Sequence, residues 1–429
     1  MAMFTRVITV TSALALTLTA CSSGGGSGST STNANPDDGT QLTMWVRAAT
    51  DQFSKRLVDA YNSSHKNHVA LTIIPNDNYL TKVGTAAGSR SLPDILASDV
   101  VYTPNYTKQG LFQDISADLK ALPYFGSIAK SHVDVASYQG KTYAVPHKLD
   151  SSVFFYNKDL FKKAGLDPEK PPKDFAEILD DARKITALGN GITGFDLAGS
   201  CGGCGVYTLF PYAWANGAEV LSADGKKVDI NNDSFRQIFK LYKQLSDEKL
   251  VASSDKSQDG STWPNNFLAG KVGMLPLGSP IVGDLLKQKK FQWGVTALMS
   301  PDGAHTSTFI GGDVAGITAT SAHRAQAWDF LKWTLDEQAQ VEIIAKNGDL
   351  PGRTDLSGNK YTAADPRTKL IADGLKNGHT PYALPFGDLF NNPNGPWVAT
   401  IRAALYGNDI DKALSDGQAK IQQGLDTAG

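Results

Sequence analysis

Residues 138–166 read YQGKTYAVPHKLDSSVFFYNKDLFKKAGL. Two extended runs, Lys141 to Val145 and Ser152 to Tyr156, flank the segment Pro146 to Ser151. Proline has no amide proton to give a sheet, so Pro146 predicts a break in strand pairing. The polar residues that follow it, Lys148, Asp150 and Ser151, suit a connection crossing between two packed bodies rather than the interior of one.

The flanking sequence supplies two such bodies. Before the stretch, Leu42 to Val46 predicts a strand, and Phe53, Leu57, Val58 and Tyr61 form one face of a helix. Val69 to Pro75 (VALTIIP) is a second strand, and PDILASDVV adds a third. Apolar strands alternating with helices predict an α/β architecture, its sheet covered on both faces. After the stretch, Pro171, Pro172 and Asp174 start a helix carrying Phe175, Ile178, Leu179, Ala182 and Ile185. A further helix carries Phe235, Ile238, Phe239, Tyr242 and Leu245. FIGGDVAGITATS (309–321) is β-rich, and the helical region from Ala322 restarts at Asp336 and ends at Gly348 and Pro351. The last segment is helical, with Ile410, Ala413, Leu414 and Ile421 on one face.

At the amino end, Arg6 precedes an apolar run, Val7 to Thr19, too short to span a bilayer. Leu18-Thr19-Ala20-Cys21 resembles the bacterial lipobox, whose cysteine is lipidated and becomes the mature terminus. Residues 1–20 are then a signal peptide, and 21–40, rich in Gly and Ser, a lipid-anchored flexible tether. The roughly 400 residues left exceed one compact core and suit two lobes. Acidic and basic residues nearly cancel, 43 against 41, with no basic block, so nucleic-acid binding is not expected.

Outside the cytoplasm, Cys201 and Cys204 of GSCGGCGVY are expected to form a structural disulfide. A redox site, the alternative for C-x-x-C, needs its first cysteine at a helix N-terminus, whereas the glycines predict a loop. Neither G-x-S-x-G nor H-E-x-x-H occurs, which argues against an exported hydrolase. Seven scattered histidines, His65 and His68 among them, predict no metal site, and no cofactor is expected.

In order and spacing, several segments together carry a resemblance: PDIL with KQGLF, GKTYAVP with FFYNKDLFKKAGL, and PPKDFAEIL. FLAGKVGM, GGDVAGI with AWDFLKW, and ALSDGQAKI extend it along the mature chain. The chain resembles the extracellular solute-binding proteins of carbohydrate ABC importers, the group that includes maltose-binding protein. The resemblance implies a two-lobed periplasmic-binding-protein-like fold (type II), with hinge crossings near Lys148–Asp150, Gly311–Asp313 and Pro351–Arg353. The lobes are then 41–148 plus 312–352 and 149–311 plus 353–429. It also implies a monomer that closes on a carbohydrate at the extracytoplasmic membrane face and delivers it to a permease. The import energy comes from the permease's ATPase, since this chain has no Walker motif.

Sugar sites combine polar groups for hydroxyls with aromatic platforms for ring faces. The resemblance puts a ligand-contacting acid at Asp150, which otherwise pairs with Lys148, and a polar cleft residue at Arg47. Ser98 and Asp99 end the third strand and are expected to face the cleft, as is Asp77 after IIPN. Gly312 and Asp313 lie at the second crossing, and Arg353 follows the third. Tyr207, Trp214, Trp263 and Trp397 are the candidate platforms, while Trp45, Trp328 and Trp333 read as core. Pro280 stands where many sugar binders place a stacking tryptophan. Arg47, Lys148 and Arg353 around one cleft also suit a phosphorylated or acidic ligand.

Overall fold

A computed structural model describes residues 36–428; the leader, Cys21 and most of the expected tether lie outside the described residues. The strands that build the site are β1 (Gln41–Arg47), β2 (His68–Ile74), β3 (Ile95–Asp99), β4 (Val145–Asn157), β5 (Thr193–Phe195), β6 (Val272–Gly278) and β7 (Thr306–Ile317). They lie in one curled sheet in the order β2-β1-β3-β7-β4-β6-β5. At one end β1 is parallel to both β2 and β3; at the other β5 is parallel to β6. The long strands β4 and β7 run antiparallel through the middle and belong to both ends.

Pro146 does not interrupt β4. The strand runs unbroken through the segment predicted as a break. Asp313 pairs with Lys148 but Val314 pairs with Pro146, so His147 is the extra residue of a bulge. A bulge next to a strand's end skips ladder bonds, and there the missing amide of proline costs nothing. The third crossing joins this pair through a bridge between Leu149 and Leu350.

Helices cover the sheet as the apolar periodicity predicts. In α1 (Asp51–Ser64), Phe53, Leu57, Val58 and Tyr61 are buried. The next site helix, α2, spans Lys130–Val135. Asp174 caps α3 (Phe175–Thr186) by accepting the Glu177 amide at 2.8 Å, and Phe175, Ile178, Ala182 and Ile185 face inward. The region after Asp336 forms a π-helical turn, and Gly348, at φ +84°, ends it.

One apolar cluster joins Val46, Ile95, Ala97, Ala315, Ile317, Phe330 and Leu331 on the β1–β3 side. A larger one gathers Phe154, Phe195, Phe210, Phe235, Phe239 and Phe390 on the other. Two candidate platforms belong to such cores. Trp397 is fully buried against Phe210, Phe235 and Phe239, and Trp263 is buried in a further cluster with Phe155, Phe267 and Trp293. A buried indole contributes hydrophobic burial and has no exposed face left for a sugar.

The glycines of CGGC prove to be helical. Cys201 caps α4 (Gly202–Ala215), its Sγ accepting the Cys204 amide at 3.1 Å, and the two cysteines are disulfide-bonded. A Cβ on Gly202 would stand 2.2 Å from the Phe390 carbonyl oxygen, and one on Gly205 2.4 Å from Ile401. Gly202 and Gly205 serve close packing, so the loop reading fails, and with it the ground for setting a redox site aside, because Cys201 does stand at a helix N-terminus.

Candidate ligand-binding site

The C-terminal ends of β1 and β3 bring Arg47 and Asp99 to the same edge, where β7 places Asp313 beside them. Arg47 Nη1 lies 2.9 Å from Asp99 Oδ2; its Nη2 is bonded to Asp313 Oδ1, and Nε donates to Asp313 Oδ2 at 3.3 Å. Asp313 is fully buried. Burial opposes the Arg47 charge, but Asp313 and Asp99 outweigh it and hold the guanidinium above its usual range. Burial pushes Asp99 up to about 6, Arg47 pulling it down and Asp313 pushing it further up.

Two pairs along the ladder from Asp313, β4 presents Asp150 opposite Gly311. The Tyr207 hydroxyl, on α4, donates to Asp150 Oδ1, and its ring packs on Phe309 at 5.0 Å. Burial raises the Asp150 pKa against the pull of that hydrogen bond. A Cβ at Gly311 would approach Asp150 Oδ1 to 2.7 Å and the Tyr207 ring to 2.8 Å, so glycine leaves the room both occupy. Gly312 is required for another reason: its φ is +114°, and a Cβ would stand 2.0 Å from the Lys148 carbonyl oxygen.

Lys148 is buried and faces Asp349 at 3.6 Å rather than Asp150, with Arg56 bonded to the same carboxylate. Tyr102 closes the cluster from above: its hydroxyl accepts from Asn391 at 3.3 Å, and its ring packs against the backbone at Gly387. Burial lowers His147 and His132 to about 4; His147 Nε2 is 2.8 Å from Ser54 and His132 Nε2 is 3.1 Å from the Lys148 carbonyl.

Arg47, Asp99, Asp150, Tyr207, Gly312 and Asp313 therefore come together, with Lys148 at their margin. Ser98 does not join them; it is fully buried, its hydroxyl donating to the Asp99 carbonyl at 3.2 Å. Successive strand residues point to opposite faces, so when Asp99 faces the cluster its neighbour turns away. The Asp77 side chain lies outside the described residues. Arg353 is held elsewhere, 2.6 Å from Asp355 and stacked 4.0 Å over Tyr124.

Trp214 stacks on His379 at 4.9 Å and lines a cavity of about 1040 Å³. Leu149, Ile310, Leu350 and Tyr382 share that lining. Leu149 and Ile310 alternate with Asp150 and Gly311 along the strands, so this cavity opens on the opposite face of the crossing ribbon. That space is also lined by Lys130, Asp134, Glu219, Asp373 and Lys376, but Arg47, Asp99, Asp150 and Asp313 lie outside it. The polar cluster is the better candidate, since recognition of hydroxyls needs convergent polar groups. Sequence reasoning missed Arg56, Asp349, Tyr102 and Asn391, which carry no local signal and meet the cluster only through tertiary packing.

Residues 56–369 match the family described as bacterial extracellular solute-binding protein. The chain belongs to that family. Like its relatives below, it is a binding protein by membership, and the family is extracellular. The diacetylchitobiose binding protein of Streptomyces coelicolor is 23% identical over 398 residues, 90% of each chain. The sn-glycerol-3-phosphate-binding periplasmic protein of Brucella melitensis is 27% identical over 222 residues, 49% of each. The GacH receptor of Streptomyces glaucescens, solved unliganded and with acarbose, matches with a TM-score of 0.79 at 23% identity over 90% of this chain and 98% of that one. This solute-binding protein therefore has the two-lobed periplasmic-binding-protein-like fold.

Proposed function

We propose that this solute-binding protein is the lipid-anchored receptor of an ABC importer, capturing a carbohydrate between two lobes and presenting it to the permease. The observation that carries the reading is the convergence of Asp99, Asp313, Asp150 and the Tyr207 hydroxyl from separate strands and a helix. Carboxylates accept hydrogen bonds from sugar hydroxyls, and their burial makes each unmet acceptor costly, which favours a ligand dense in donors. The S. coelicolor and S. glaucescens relatives, named or solved with saccharides, support the same ligand class.

The lobes we assign are 41–148 plus 312–352 and 149–311 plus 353–429, turning about the β4–β7 ribbon. Tyr102 on one lobe and Gly387 and Asn391 on the other are the contacts that part when the cleft opens. The protein acts as a monomer that binds without catalysis. A phosphorylated ligand is the less favoured reading: Arg47, Lys148 and Arg353 each already face a carboxylate, and Arg353 lies outside the cluster.

A thermal-shift panel of neutral, amino and phosphorylated sugars tests the proposal. A ligand at 100 times its Kd adds about 2.7 kcal/mol of stability. Small-angle scattering of the hit complex should show compaction, and Asp150→Ala should weaken binding roughly tenfold or more. Absence of any saccharide hit, or tight binding without compaction or dependence on Asp150, would reject it.

A further inference from the structure

Around the crossing strands the charges do not balance. Arg47 faces Asp99 and Asp313, while Lys148 and Arg56 face Asp349. Asp150 is left over. Among the described residues its carboxylate has no ion-pair partner, and its side-chain hydrogen bond comes from the neutral Tyr207 hydroxyl. The neighbouring position across the ladder is Gly311, so no side chain covers the carboxylate from that strand. A carboxylate removed from water is stabilised most by a cation with a hydrogen to donate. Arg47 is committed to two carboxylates, and Lys148 lies beside Asp349, which it shares with Arg56, so its charge reaches Asp150 only from beyond ion-pair distance.

Resting on the carbohydrate reading above, we propose that Asp150 seats a positively charged nitrogen of the ligand. The cleft then prefers saccharides bearing an amine to their neutral and phosphorylated counterparts. A phosphate adds negative charge beside Asp150, Asp99 and Asp313 and is rejected. An acetamide presents one neutral N–H and adds bulk where Gly311 and Tyr207 leave little. Asp150 is thus a specificity-determining residue, not merely one of several hydroxyl acceptors.

The test uses the whole mature protein and sugars matched in frame and linkage, differing in one substituent: hydroxyl, amine, acetamide or phosphate. Both α- and β-linked glucose disaccharides and the free monosaccharides supply the frames. At neutral pH, calorimetry should give the amine form of the best frame an affinity roughly tenfold or more above its hydroxyl and acetamide forms. Added salt should erode that advantage. Asp150→Asn keeps the shape and an acceptor for Tyr207; it should abolish the preference for the amine form over the hydroxyl form. If neutral sugars bind and the amine gains nothing, or the phosphate binds best, this inference falls and the carbohydrate reading stands. If no saccharide binds, both fall. The comparison of ligands on the unmutated protein decides the matter even where the variant fails to fold.

Discussion

Arg47, at the end of the first strand, and Asp313, in the second long strand, are bonded across 266 positions of chain. The contact ties the parallel β1–β3 end of the sheet to the ribbon that passes to the other end. Asp313 has no exposed surface, so without the guanidinium its carboxylate would be buried with no ion-pair partner. Arg47→Ala should cost about 3–5 kcal/mol, the usual result of leaving one buried charge unpaired. Urea unfolding of the unliganded protein measures it; a loss within error of zero would mean the pair is dispensable.

Burial pushes Asp196 up to about 7, against the Leu197 amide and Asn266, and its Oδ2 has no hydrogen-bond partner. The folded state therefore holds the Asp196 proton more tightly than the unfolded chain. That contribution to stability is complete below the ordinary carboxylate range and is lost as pH rises through about 7. Asp196→Asn, which cannot ionise, should gain on the parent between about pH 5 and pH 8, by an order of a few kcal/mol. Taking the difference between variant and parent removes the opposite contribution of buried His132 and His147. A pH-independent difference would contradict the assignment.

The Cys201–Cys204 disulfide closes a short ring at the start of the helix that carries Tyr207. By loop-closure entropy a ring this small stabilises the fold by about 2 kcal/mol. The Cys201→Ser/Cys204→Ser protein should melt lower by a corresponding amount, and the exported parent should show no thiol reactive to a labelling reagent. Two free thiols on the non-reduced protein would remove the structural role.

Cys21 lies outside the described residues, yet the lipid-anchor proposal depends on it. Cys21→Ser should leave the protein unprocessed or release it from the membrane fraction. A processed serine variant that still pellets with membranes would exclude lipid anchoring there.

Taken alone, the sequence determined the alternation of strands and helices, the faces that pack inward and the end at Gly348. These follow from local periodicity, capping and backbone freedom, which act over a few residues. It also marked Asp99, a polar residue ending a strand, and Tyr207, an aromatic platform, while Arg47, Asp150 and Asp313 stood out through the resemblance and its crossings. Only the tertiary structure decided what those residues do to one another. Pro146 looked like a break until a bulge at His147 in the pairing with β7 accommodated it, and Gly202 and Gly205 looked like loop residues until Phe390 and Ile401 packed on them. Trp397 looked like a platform until Phe210, Phe235 and Phe239 closed round it, and Trp263 until it was buried in a core cluster. Ser98 and Asp99 are adjacent in the chain yet face opposite ways. That Lys148 turns to Asp349 and leaves Asp150 without a cation depends on distances between segments far apart in sequence, and ion pairing is set by distance.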